Sequence, residues 1–311
     1  MRPLALSAIG LFAAMGLHAA TFYVTAAGLG GEPDYGKRFQ MWATDIDKTF
    51  RSTESGAKVT TLSGDEATRA KLEAALANVA QHAAPEDAFV LMLIGHGTFD
   101  GEEYKFNLPG PDISATQLAN CLRGIRAERQ LVVDMSSASG AALQALAKKN
   151  RIVITATQSG NERNATVFAR FWIQALHDPG ADTDKSGGVS ALEAFRYASQ
   201  KTSEFYETEK RIATEHAVLD DTAQGKGVRN PSAENREGML AASFPLLPLE
   251  KKTTTQASTP EKRKLLSRKE QLETAIDRLK YQKAAIPEDE YKKQIETLLL
   301  ELARTQAELD R

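Results

Sequence analysis

The chain has 311 residues, of which 42% are hydrophobic and 26% are charged, so it carries enough apolar material for a sizeable core. This composition excludes a disordered or fibrous protein. Its 39 basic and 41 acidic side chains give a net charge of −2, so the chain has no overall basic field of the kind that a nucleic-acid-binding protein needs. We therefore expect no nucleic-acid partner.

Residues 1–20 have the features of a secretory signal peptide. A basic residue, Arg2, precedes an apolar run over residues 4–17, and the segment ends on two alanines. The run is shorter than the roughly 20 apolar residues that span a membrane, which disfavours the alternative of a membrane anchor. The single cysteine, Cys121, cannot form a disulfide within the chain. We predict a mature chain from about Thr21 with no transmembrane segment, periplasmic or secreted in a Gram-negative bacterium.

Beyond the signal peptide, apolar strand-like runs alternate with amphipathic helical patterns. This alternation predicts an α/β fold with a mostly parallel sheet flanked by helices. Ligands of such sheets bind at the carboxyl ends of the strands. The predicted strands are "TFYVTA" (21–26), "KVTTL" (58–62), "AFVLMLIG" (88–95), "QLVVD" (130–134) and "RIVITAT" (151–157). The predicted helices pass through residues 39–46, 66–83, 114–125, 139–149 and 164–176.

Two strand ends carry residues that could do chemistry. His96 and Gly97 follow the third predicted strand, and Ser136 and Ser137 follow the fourth. Because neighbouring parallel strands end at one edge of the sheet, a histidine and a nucleophile could meet there as a hydrolase dyad. Two structural alternatives stay open: the serines cap the next helix, or His96 is a strand-end histidine bonded to backbone.

Four segments resemble the caspase-like cysteine peptidases, closest to the legumain family and its bacterial relatives. They are "GLGGEPDYGKRF" (28–39), "LIGHGTFDG" (93–101), "LVVDMSSASGAAL" (131–143) and "ITATQSGNERNATVFARFWIQAL" (154–176). The resemblance covers roughly residues 21–201 and implies a caspase-like fold for a domain of residues 21–249. Against the family's Cys-x-Ser-Gly, Ser139 and Gly140 match, but Ser137 stands at the cysteine position.

The resemblance implies a role for each of these residues. His96 would be the catalytic acid and base, while the backbone N–H groups of Gly97 and Ser137 would bind the oxyanion. A serine needs a well-oriented base more than a cysteine does, and no third residue that holds His96 is evident. We therefore expect a pseudo-peptidase that binds a peptide or protein in the cleft. An active hydrolase using Ser137 is the first alternative, and a calcium-stabilised assembly protein is the second.

The segment "DTDKSGGVSALE" fits the twelve-residue calcium loop of an EF-hand. A glycine, Gly187, stands at the sharp turn in position six. The predicted Ca²⁺ ligands, at positions one, three, five, seven, nine and twelve, are Asp182, Asp184, Ser186, Gly188, Ser190 and Glu193. Serine at position five lowers the ligand charge and predicts weak binding, on the order of 10⁻⁴ to 10⁻³ M. The alternative is an acidic loop that caps a helix through Ser190.

The C-terminal part changes in composition. A polar, threonine-rich linker is predicted over residues 250–260, and residues 261–311 show two heptad-like apolar stripes separated by "AAIPEDE". This pattern predicts a helical hairpin. Its stripe could close on itself, pack on the main domain, or pair with another chain as a homo- or hetero-oligomer. Leu299 and Leu300 widen the stripe and favour a partner surface.

Overall fold

The computed structural model describes residues 19–31, 33–53, 56–247 and 282–309, together with single positions between 261 and 279. The predicted linker and residues 1–18 of the predicted signal peptide lie outside the described residues. The strands are Thr21–Ala27 (β1), Lys58–Leu62 (β2), Ala88–Ile94 (β3), Gly97–Phe99 (β4), Tyr104–Phe106 (β5), Ile113–Ser114 (β6), Arg129–Asp134 (β7), Arg151–Thr155 (β8), Val189–Ser190 (β9), Val218–Asp220 (β10) and Pro245–Leu247 (β11).

The main sheet has six strands in the order β10-β8-β7-β3-β1-β2. The five strands from β8 to β2 are parallel, and β10 lies antiparallel at the edge beside β8. β3 and β7 are neighbours, with Leu93 opposite Asp134 in the register. All seven residues of β3 are buried, as its continuous apolar sequence predicts for a central strand covered on both faces. The predicted α/β fold, with a mainly parallel sheet flanked by helices, is confirmed.

Helices cover both faces of the sheet. They are Pro33–Thr53 (α1), Arg69–His82 (α2), Ala115–Arg123 (α3), Leu143–Leu146 (α4), Phe168–Ala175 (α5), Ala191–Thr208 (α6), Met239–Ala242 (α7) and Glu288–Leu309 (α8). One apolar core joins the sheet to α1, α5 and α6, and a second joins it to α2, α3 and α4. None of the described helices combines the length and the apolar character that crossing a bilayer requires.

The helix predicted over residues 139–149 is shorter in the structure. Ser139–Ala142 forms a 3-10 turn, and only Leu143–Leu146 is α-helical. The Gly140 N–H donates to the Thr157 hydroxyl at 2.9 Å, so this turn is held by the loop that follows β8 rather than by a continuing helix. Asn150, at φ 63°, then takes the left-handed conformation that leads the chain into β8.

The C-terminal segment contains the second helix of the predicted hairpin, α8, which starts directly after Pro287. Among the described positions before it, Leu272 and Leu279 are buried, and Arg268 forms an ion pair with Glu301 of α8. Leu299 and Leu300 remain about half exposed, at 49% and 52%. Part of the apolar stripe is therefore covered within the chain, and these two leucines lie outside the covered part.

Candidate functional site

The ends of β3 and β7 meet closely at the carboxyl edge of the sheet. The Met135 N–H donates to the Leu93 carbonyl at 2.9 Å, which extends the strand pairing into the turn. A Cβ atom at Gly97 would lie 2.4 Å from the Ser137 carbonyl oxygen and 2.5 Å from the Tyr104 ring. Only glycine fits at this approach, so the turn after β3 rests directly on the serine turn after β7.

The Ser137 hydroxyl is bonded to the backbone of Gly97. Its Oγ accepts from the Gly97 N–H at 3.1 Å and donates to the Gly97 carbonyl at 3.1 Å. Ser137 is only 2% exposed. A hydroxyl has a single proton to donate, and here a carbonyl accepts it. The same contact occupies the Gly97 N–H, the group that the family resemblance implies as an oxyanion donor.

Ser136 belongs to a separate buried polar cluster below this turn. Its hydroxyl donates to Asp134 at 2.7 Å and is bonded to the Tyr104 hydroxyl at 2.6 Å. Burial raises the pKa of Asp134 to about 6, and hydrogen bonds from the hydroxyl and the N–H of Ser136 limit the rise. Burial also raises the pKa of Tyr104 well above its ordinary value, with a further contribution from the charge on Asp134. Asp134 Oδ2 is buried with no hydrogen-bond partner.

The serines do not cap the following helical turn, so that alternative is wrong. The residue at the N-terminal cap is Ala138, in a left-handed conformation and without a side-chain cap bond. The matching motif residues Ser139 and Gly140 instead join β7 to the chain after β8. Ser139 bonds the Thr157 hydroxyl at 3.2 Å, and a Cβ at Gly140 would lie 2.3 Å from the backbone nitrogen of Ser159. These two residues have a packing role here.

His96 lies at the same edge and is partly exposed. Its ring forms T-shaped contacts with two aromatic rings of α1, with centroid distances of 4.8 Å to Tyr35 and 5.2 Å to Phe39. Its carbonyl accepts from the Asn107 N–H at 3.0 Å, and the Asn107 carbonyl in turn accepts from the Leu29 N–H at 2.9 Å. Leu29 is 48% exposed, so an exposed apolar side chain belongs to the loop beside the histidine.

The sequence could indicate part of this site. The sequence places Asp134 at the polar end of an apolar strand, shortly before the serines. Tyr104 carried no such signal, because it is brought to Ser136 by the antiparallel pairing of β4 and β5, which the strand and helix patterns did not predict. Asp100, which follows His96 in sequence, accepts from the Glu102 and Glu103 N–H groups within its own turn.

The predicted calcium loop brings three of its carboxylates together. Oxygen atoms of Asp182, Asp184 and Glu193 lie within 4.8 Å of one another, and Gly187 turns the loop at φ 89°. α6 begins at Ala191, the tenth loop position. Ser190 also caps α6 by accepting from the Glu193 N–H at 3.2 Å, so the capping role proposed as the alternative is present in the same loop.

The remaining loop ligands are held by bonds within the loop. Ser186 donates its N–H to Asp182 and Asp184, and its hydroxyl lies 3.4 Å from the Gly188 carbonyl. Desolvation, with a smaller contribution from the charge on Glu193, raises the pKa of Asp184. A divalent cation with oxygen ligands at 2.3–2.6 Å would fit between carboxylates spaced in this way and would offset their repulsion.

Comparisons with known proteins find similar solved structures but no match by sequence. No protein-family model and no curated protein matches the chain. Among solved structures, it is similar to the Drosophila initiator caspase Dronc, with 10% identity, a TM-score of 0.44, and coverage of 67% of this chain and 81% of that chain. Protein GSU0716 from Geobacter sulfurreducens gives 14% identity, a TM-score of 0.46, and coverage of 65% and 93%.

Raptor from Chaetomium thermophilum gives 11% identity and a TM-score of 0.40, with coverage of 52% of this chain and 18% of that chain. Likenesses this distant carry no conclusion about activity, and the closer relation to legumains stays a prediction.

Proposed function

We propose that this chain is an exported pseudo-peptidase of the caspase-like fold, which binds a peptide or protein ligand at the carboxyl edge of its sheet. The observation that carries the proposal is the bond of the Ser137 hydroxyl to both backbone groups of Gly97. This bond joins the candidate nucleophile, the Ser137 hydroxyl, to a candidate oxyanion donor, the Gly97 N–H, inside a turn that excludes solvent. Attack on a peptide carbonyl would need both groups to be available.

Binding at this edge is supported by the surface around His96. The exposed Leu29 and the partly exposed ring of Tyr35 offer apolar contact beside a partly exposed imidazole. The Arg38 guanidinium lies 4.6 Å from the Tyr35 ring centroid and adds a positive charge. Apolar and aromatic side chains with a few polar groups are typical of ligand sites at the strand ends of α/β sheets.

We expect the protein to show no peptide turnover above that of Ser137→Ala. The measurement is release of fluorophore from a peptide library varied at the residue before the scissile bond. Circular dichroism confirms that the variant is folded, since it loses two hydrogen bonds, each worth about 1 kcal/mol. Turnover by the wild type that Ser137→Ala abolishes would contradict the proposal and establish a serine hydrolase.

Binding is tested separately with fluorescently labelled library peptides and anisotropy. Leu29→Ser should weaken the binding of any captured peptide, because it removes apolar contact beside His96. Leu299→Ser, on α8, is the matched control, since Leu299 is 49% exposed, against 48% for Leu29, and none of the residues named around His96 belongs to α8. Equal effects of the two substitutions would argue against a ligand surface at the sheet edge.

A second candidate role, calcium stabilisation, is supported by the spacing of Asp182, Asp184 and Glu193. About 10 mM CaCl₂ lies roughly tenfold above the Kd of a weak EF-hand, and linkage then gives about 1.4 kcal/mol. We expect Tm to rise by about 3–6 °C. Glu193→Gln should abolish the rise while keeping the helix cap, because glutamine also serves at that cap position.

The controls for calcium are a different cation and a different glutamate. MgCl₂ at the same concentration should give little or no rise, because Mg²⁺ requires a smaller octahedral site. Glu204→Gln, on the same helix α6, should keep the full response to calcium. Equal shifts with both cations, or a full response in Glu193→Gln, would contradict a calcium role for this loop.

A further inference from the structure

Ala20, the residue directly before β1, is bonded to a buried carboxylate. Its N–H donates to Asp87 Oδ1 at 2.7 Å, and its carbonyl accepts from the Ala88 N–H at 2.9 Å. The second of these bonds continues the parallel pairing of β1 with β3, in which Thr21 lies opposite Ala88. The backbone nitrogen of Ala20 is therefore held at the amino edge of the sheet, opposite to the edge that carries His96 and Ser137.

The Asp87 carboxylate has neutral partners only. Asp87 is 7% exposed, and its second oxygen accepts from the Ala84 N–H at 2.8 Å. Among the described residues, no basic side chain forms an ion pair with Asp87. The nearby acidic residues Glu86 and Glu128 are exposed. A buried carboxylate is costly unless it is paired with an opposite charge, so a cation at the position of the Ala20 nitrogen would complete this site.

The sequence before β1 offers such a cation. The predicted signal peptide ends in "GLHAAT" (16–21), where two successive peptide bonds follow an alanine, as in the small-residue cleavage sites of signal peptides. A cut after Ala19 has Leu17 at the third position before the bond, whereas a cut after Ala20 has His18 there. Of these two residues Leu17 is the apolar one, which favours the cut after Ala19.

We propose that removal of the leader at the Ala19–Ala20 bond creates an ion pair between the new N-terminus and Asp87. Hydrolysis adds one water molecule across this bond and leaves a carboxylate on Ala19 and an α-ammonium on Ala20. The ammonium nitrogen is the same atom that lies 2.7 Å from Asp87, so the ion pair needs no movement of β1. A cut after Ala20 would instead remove this nitrogen and the bond that it makes.

The ion pair makes the stability of the domain depend on its processing. It joins the start of β1 to the start of β3, two adjacent strands of the main sheet. A hydrogen bond between charged groups is stronger than one from a neutral amide, so the processed chain is the more stable form. The inference rests on the export that is part of the proposed function, and it does not involve the peptide site.

The first measurement is the intact mass of the protein recovered from the periplasm of a Gram-negative host that expresses residues 1–311. We expect a mature chain that begins at Ala20. A periplasmic chain that begins at Thr21, or at any other residue, would overturn the processing site and leave the export proposal standing. An uncut chain that stays in the cytoplasm would contradict the export itself, and the processing with it.

Thermal unfolding then tests the ion pair. A chain that begins at Ala20 is compared with one that keeps His18 and Ala19, in which the Ala20 nitrogen is an amide that still donates to Asp87. We expect the Tm of the chain that begins at Ala20 to be higher by about 2–6 °C. This comparison needs no substitution, so it does not depend on the folding of a variant.

The control variants are made in both chains. Asp87→Asn removes the charge and keeps the side-chain shape, so it should reduce the difference in Tm between the two chains to below about 1 °C. Glu86→Gln is the matched control, because this exposed carboxylate is one residue away, and it should keep the full difference. Equal Tm values for the two wild-type chains, or a full difference in Asp87→Asn, would overturn the ion pair.

Discussion

Gly97→Ala is expected to destabilise the protein by at least about 3 kcal/mol, at the severe end of effects from single substitutions. The new methyl group would lie 2.4 Å from the Ser137 carbonyl oxygen, 2.5 Å from the Tyr104 ring and 2.9 Å from the Ser136 hydroxyl. None of these is the movable end of a flexible side chain. The steric overlap can therefore be removed only if the turns after β3 and β7 separate, which breaks the bonds between Ser137 and Gly97.

The measurement is urea or thermal unfolding, in which about 3 kcal/mol lowers Tm by roughly 6–12 °C in a domain of this size. Gly36→Ala is the matched control. Gly36 lies inside α1, and a Cβ there would meet nothing within 4 Å. It should stabilise the protein by about 0.5–1 kcal/mol, since alanine favours the helix. Similar results for the two variants would contradict the close contact of the two turns.

Most of the predicted strands and helices follow from short-range patterns and agree with the structure, whereas the helix predicted over residues 139–149 is reduced to Leu143–Leu146. β3 reads as an unbroken apolar run, and α2 begins where the Thr68 hydroxyl accepts from the Lys71 N–H. β10 was not predicted, because three residues are too few for a pattern and its pairing with β8 depends on contacts far along the chain. Asp220, at its end, is 1% exposed and accepts N–H bonds from the following turn.

The candidate site also has one part that the sequence predicts and one part that it does not. Parallel topology predicts that the turns holding Gly97 and Ser137 are neighbours, and they are in contact. The direction of the Ser137 hydroxyl could not be predicted, because it depends on an approach of about 3 Å between two turns that are distant in sequence. The same holds for the contact of Tyr104 with Ser136. Chemistry depends on such directions, so the motif alone left hydrolysis and binding as alternatives.

Asp134→Asn is expected to remove a pH-dependent destabilisation. Burial raises the pKa of Asp134 to about 6, against about 3.9 in the unfolded chain. A raised pKa means that the folded state favours the protonated carboxyl. The stability that this preference contributes is fully present below pH 4. It is lost as pH rises through about 6, by about 3 kcal/mol in total. Asparagine does not titrate, and so that loss should be absent from the variant.

The measurement is the free energy of unfolding in urea at pH values from 4 to 8, for the wild type and for Asp134→Asn. Taking the difference between the two cancels other titrating groups, such as the buried Glu215. The free energy of unfolding of the variant should increase relative to that of the wild type between pH 4 and 7. Asp100→Asn is the control of opposite sign, because N–H bonds from Glu103 and Glu102 lower the pKa of that exposed carboxyl. A difference independent of pH for Asp134→Asn would mean that Asp134 is not desolvated beneath the serine turn.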